Sequence, residues 1–171
     1  DVGYRILSGQ DLYFDVFYNA GPIHPYMLAF FYWLFGFTST AVVALVCGVN
    51  ALVAVAPYVV SRRHLPFRHA ALATMVSAFC FYGPMGLPSY DHSASFWLIV
   101  GVLVLELNGP IMASRRGLVV GFLCGVCASL SFLAKANVGL GAVLLFPVVF
   151  LLSGGRAGIL MCYLLGCFIT T

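Results

Sequence analysis

From Ala41 onward the chain alternates long apolar runs with short polar breaks, and each run reads as one membrane-crossing helix. Ala41–Val60 is the clearest, about 20 apolar residues interrupted by Asn50 and Pro57 and closed by Arg62, Arg63 and His64. Ala70–Met85, Ser93–Leu107, Leu118–Ala134 and Val138–Leu152 follow, and a further run begins at Ala157. Several of these cores hold only about 15 to 17 residues, so short or tilted spans are expected, and one could be re-entrant. Ahead of them, Asp1–Gln10 reads as a short amphipathic turn of helix lying along the membrane surface and ended by Gly9. His24–Gly36 reads as a compact aromatic helix, too short to cross ~30 Å of hydrocarbon and therefore juxtamembrane. The expected fold is all-α: a polytopic transmembrane helix bundle in a single domain over residues 1–171. An outer loop with juxtamembrane helices occupies residues 1–38, and about six spans, the last incomplete, occupy residues 39–171.

Composition agrees, with 63% hydrophobic and only 8% charged residues, far from the roughly 25% charged residues of soluble domains. A net charge of +3 without a basic cluster excludes nucleic acid as a partner. If the spans alternate, Arg62, Arg63, Arg68, Arg115, Arg116 and Arg156 share one face, leaving only Arg5 and Lys135 of the eight cationic residues elsewhere. The positive-inside rule makes the arginine face cytoplasmic, so Asp1, Asp11, Asp15 and Asp91 gather outside. Glu106 is expected to pair with Arg115 or Arg116 at the cytoplasmic end of its span. The six cysteines lie in apolar runs, and the CxxC of Cys124 and Cys127 reads as helix packing rather than a metal or redox site. Starting at Asp1 without methionine and stopping at Thr171 inside an apolar run, the chain is expected to be a piece of a longer protein.

The stretch Gly9–Tyr26 is the one long segment that a bilayer would reject. It mixes Asp11, Asp15, Asn19 and His24 with five aromatics, and Gly21, Pro22 and Pro25 break its helix. Such a loop sits at the headgroup level, wet on one side and apolar on the other. Alternation brings it level with Gly86–Ser93 and with the turn at Lys135, Ala136 and Asn137. Partly desolvated carboxylates there suit a general base or a divalent-metal ligand, which marks Asp15 and Asp91. The plainer reading makes Asp91 the N-cap of a helix starting at Ser93, and Asp15 a solvated loop charge. Arg5 and Lys135 offer cations to a lipid phosphate, although Lys135 could merely snorkel. Tyr18, Asn19, His24, Tyr90, His92 and Asn137 complete the candidate substrate-binding set.

These stretches carry a family resemblance. LSGQDLYFDVFYNAGPIHPYMLAFFYWLFG (Leu7–Gly36) resembles the first outer loop of the GT-C membrane glycosyltransferases, in particular the bacterial set related to protein O-mannosyltransferases and to aminoarabinose and Rgt-type lipopolysaccharide sugar transferases. YDHSASFWLIVGVLVLE (Tyr90–Glu106) looks like the family's acidic loop opening a span, and GFLCGVCASLSFLAKANVGL (Gly121–Leu140) is similar to its glycine-and-lysine run. The resemblance implies transfer of a sugar, with inversion, from a polyprenyl-phosphate donor to a lipid, glycan or protein acceptor of the cell envelope. It implies a site on the outer face of a bacterial cytoplasmic membrane, with a divalent metal ion as a possible cofactor. Asp15, Asp91 and Lys135 match the family's loop carboxylates and helix-ending lysine. Two departures stand out: the acidic motif that opens the first loop would precede Asp1, and Ala20 occupies a position where many members carry lysine. A transporter or lipid flippase is the alternative, although its ionisable groups would be expected near the bilayer midplane.

Overall fold

The computed structural model describes residues 1–18, 21–81, 90–108, 115–152 and 157–170, with backbone alone at 78–81, 90 and 115. Among these the chain is all-helical. The helices are α1 (Val2–Leu7), α2 (Ile23–Phe35), α3 (Ser39–His64), α4 (Phe67–Phe81), α5 (Tyr90–Asn108), α6 (Arg115–Ala134), α7 (Ala136–Leu152) and α8 (Ala157–Thr170). By length and composition, α3 and residues Arg116–Ala134 of α6 could each cross a membrane, while α2, α7 and α8 are apolar but shorter.

The expected elements all form, with shifted ends. The α3 helix runs 26 residues, through Pro57 and on to His64, because Arg62, Arg63 and His64 complement the negative end of its dipole. The α5 helix begins at Tyr90 rather than Ser93, so Asp91 lies inside its first turn instead of capping it. A carboxylate there is favoured by the helix N-terminus, a preference that hydrophobic periodicity does not register. The expected end of α4 at Met85 lies outside the described residues.

Two buried clusters hold the bundle. One joins Val120, Cys124 and Ala128 of α6 to Ala142, Phe146 and Phe150 of α7 and to Ile159 and Tyr163 of α8. The other joins Leu28 and Tyr32 of α2 to Ala41, Leu45, Val49 and Val53 of α3, with Phe96 and Ile99 of α5 packed against it. The α6 helix is the hub, with α5, α7 and α8 around it. It approaches α8 closely because Gly125 and Gly166 face the other helix's backbone, where a Cβ would overlap the carbonyl oxygens of Tyr163 and Phe122. Buried hydroxyls tie the hub further: Ser131 donates to the Ala94 carbonyl at 2.9 Å and Ser129 to that of Cys167 at 3.1 Å. Cys124 is fully buried and its thiol donates to the Gly101 carbonyl at 3.5 Å, the packing role expected of it.

Candidate functional site

The 19 residues of α5 separate two polar regions by about 28 Å of helix. At its C-terminal end Glu106 meets His64 at 3.4 Å, and the Arg63 guanidinium donates to the Glu106 carbonyl. The expected partners of Glu106 were Arg115 or Arg116. Among the described residues the carboxylate meets His64 rather than Arg116, because the longer α3 carries its basic turn alongside α5; the Arg115 side chain lies outside the described residues. The opposite end of α5 holds the candidate site.

There Lys135, at the junction of α6 and α7, forms an ion pair with Asp91. The pair is partly solvated, its side chains 28% and 49% exposed, so it orients groups more than it stabilises the fold. Two residues along α5, the Ser93 hydroxyl shares a 2.8 Å hydrogen bond with Nδ1 of His24 from the start of α2. The loop before His24 is seated on the end of α6, where a Cβ on Gly21 would collide with the Leu133 carbonyl. Only glycine permits that approach.

His24 is buried. Burial, and secondarily the neighbouring His92, lower its pKa from 6.5 to about 4, so it stands as a neutral hydrogen-bonding group at physiological pH. A pH dependence follows. As pH falls below 6.5 the unfolded chain takes up the proton first, so stability present above that value is lost progressively down to about pH 4, by about 3 kcal/mol in all. Melting curves between pH 7 and pH 4 should show the loss in the parent and not in His24→Gln. Parallel curves for the two proteins would exclude it.

His24 also lines a cavity of about 440 Å³ with Asp1, Tyr18, Pro25, Leu28 and Val42. Asp1 accepts from the Gly3 amide at 2.9 Å and from the Tyr32 hydroxyl at 2.7 Å, binding α1 to α2. Burial raises the Tyr32 pKa, which keeps that phenol a donor. A second cavity of about 370 Å³, between α2 and α5, is walled by Ile23, Tyr26, Phe30, Phe31, Phe96 and Trp97. This aromatic recess lies further along α5 from Asp91 and Ser93.

The expected residues divide into two groups. At the N-terminal end of α5 Asp91 pairs with Lys135, His24 meets Ser93 two residues along, and His92 is close enough to His24 to perturb it. Asp15 belongs instead to the opening loop, and Arg5 reaches it from α1. The Asp15 carboxylate accepts from the Asp11 amide at 2.8 Å, and Arg5 donates to the Asp15 carbonyl at 3.2 Å. Neither Asp15 nor Asp91 lines any of the cavities described here. Asn137 is exposed in the first turn of α7. Asn19 lies outside the described residues, and Tyr90 is described by its backbone alone. Ser93, Asp1 and Tyr32 were not anticipated. For Tyr32 a signal existed, since His24, Leu28 and Tyr32 recur at four-residue spacing and form the buried face of α2. The contact between His24 and Ser93 joins positions 69 apart, which no local pattern reveals.

Divalent-metal binding at Asp15 and Asp91 finds no support in the donor set. Among the described residues no three His, Cys, Asp or Glu side chains converge, and both carboxylates already hold other partners. No protein-family model, no curated protein and no solved structure matches this chain.

Proposed function

We propose that this chain belongs to a polytopic membrane glycosyltransferase of the GT-C kind. It would move a sugar from a polyprenyl-phosphate donor to an envelope acceptor at the outer face of a bacterial cytoplasmic membrane. The observation that carries the reading is that the Asp91–Lys135 pair and, two residues along α5, the contact of a neutral His24 with Ser93 share the end of α5 remote from Arg63 and His64, with an aromatic recess walled by Phe96 and Trp97 further along the same helix. A lipid-borne phosphate needs such a boundary, with hydrocarbon on one side and charge on the other.

In the proposed reaction the acceptor hydroxyl attacks the anomeric carbon from the face opposite the phosphate. A new carbon–oxygen bond forms as the sugar–phosphate bond breaks, and its electron pair leaves with the phosphate oxygen. Asp91 takes the hydroxyl proton. Lys135 carries the complementary charge for the departing phosphate, so loading the donor draws Lys135 away from Asp91 and frees the carboxylate to act. His24 and Tyr18 offer hydrogen bonds to the sugar from the adjoining cavity. No step passes through a metal ion.

The test uses the full-length protein in vesicles with a polyprenyl-phosphate donor carrying a labelled sugar and an envelope extract. Label is expected to move from the lipid onto an acceptor. If the labelled lipid crosses the bilayer intact and no acceptor is labelled, the flippase reading replaces this one.

A further inference from the structure

The opening loop displays two phenylalanines to the outside. Phe14 and Phe17 are 93% and 89% exposed, whereas Leu12 and Val16 in the same segment are 7% and 2% exposed. Apolar side chains in one short segment thus divide cleanly, two pinned inward and two held out. The holding is rigid. The Tyr13 amide donates to the Val16 carbonyl at 2.9 Å, and the Asp15 and Val16 amides both reach the Asp11 carbonyl, at 2.9 and 3.3 Å. The Asp11 amide is taken by the Asp15 carboxylate, and Arg5 crosses from α1 to the Asp15 carbonyl. Tyr13 adopts φ of 71°, a left-handed conformation unfavourable for a bulky residue, which the surrounding bonds must enforce.

We propose that Gln10–Phe17 is an aromatic wedge that seats Phe14 and Phe17 in the acyl region of a lipid leaflet. The inference rests on the membrane reading above. Lipid rather than a partner protein is the occupant because the loop is braced by bonds within itself and offers no extended edge for a partner strand. The amides of Asp11, Tyr13, Asp15 and Val16 are bonded within the segment, so the apolar leaflet meets fewer unsatisfied groups there, whereas an added protein strand would need those amides free. The two tips are also phenylalanines, with no polar atom for a partner to recognise. Arg5, at the base of the wedge, lies where lipid phosphates would sit. Tyr26, Phe30 and Trp33 of α2 are exposed aromatics as well.

The wedge would fix the height of the opening loop against the leaflet, and with it the cavity lined by Tyr18 and His24. Phe14→Trp and Phe17→Trp report on depth, read against the parent chain with its constant Trp33 and Trp97 background. The variants are placed in phosphatidylcholine nanodiscs with or without bromine on the acyl chains, and are also titrated with aqueous acrylamide. Val55→Trp, at an exposed position on α3, serves as the span control. The added emission at 14 and 17 is expected to be blue-shifted, quenched by acyl bromine and insensitive to acrylamide. Quenching by acrylamide, or by neither reagent, overturns the wedge while a bromine-quenched Val55→Trp leaves the membrane reading standing. Failure of bromine to quench Val55→Trp overturns both.

Discussion

Replacing Asp91 with asparagine is expected to lower sugar transfer by on the order of 10²- to 10⁴-fold, the loss that follows removal of a general base. The fold should survive. Lys135 is 28% exposed, so water can hydrate the charge left behind, and partly solvated pairs of this kind contribute about 1 kcal/mol or less. The sharper comparison is the charge swap, Asp91→Lys with Lys135→Asp, which restores an ion pair across the same gap between α5 and the junction of α6 and α7. If the pair only staples those helices, the swap should recover both melting behaviour and transfer. If Asp91 accepts a proton and Lys135 meets a phosphate, the swap should recover melting behaviour alone. The kinetics separate the two roles further. Loss of the base falls on kcat, whereas loss of Lys135 weakens donor binding as well and raises KM. A swap variant with near-parental transfer would reduce the pair to a structural contact.

How far the site was legible in the sequence depends on which interaction placed each residue. The helices were readable because periodicity and run length are local properties, and α2, α3, α5, α6, α7 and α8 formed where apolar runs predicted them. Their ends were less readable. Polar residues such as Asp91 and Arg62 extend helices through dipole interactions that a hydrophobic run does not display. Helix alternation also brought Asp91 near Lys135, since antiparallel helices of similar length put the start of one beside the end of the next. It could not say which side chains there touch. The bond from His24 to Ser93, like the pairing of Glu106 with His64, depends on how α2 and α3 rotate against α5, and close packing at Gly21 and around Phe96 sets that rotation.

Asp15 is where the chemical and structural roles come apart, and two substitutions should divide them. Its carboxylate accepts one backbone bond, from Asp11, and it is exposed beyond that. Asparagine offers the same acceptor oxygen without the charge, so Asp15→Asn should keep the loop braced and change stability by no more than about 0.5 kcal/mol. Alanine removes the acceptor, which frees the Asp11 amide and costs about 1 kcal/mol of local order. If Asp15 acts in catalysis, Asp15→Asn should cost on the order of 10²- to 10⁴-fold in transfer despite an intact loop. If its work is to hold Phe14 and Phe17 outward, Asp15→Asn should transfer sugar almost normally, and Asp15→Ala should lose the lipid contact of those residues. Measuring transfer and bromolipid quenching on both variants, with Phe14→Trp as the reporter, gives opposite orderings for the two roles. The carboxylate's single backbone partner and its absence from the walls of the two cavities beside α2 favour the brace. On that ground the larger loss of transfer is expected at Asp91, and a severe loss in Asp15→Asn with quenching unchanged would move the base to the opening loop.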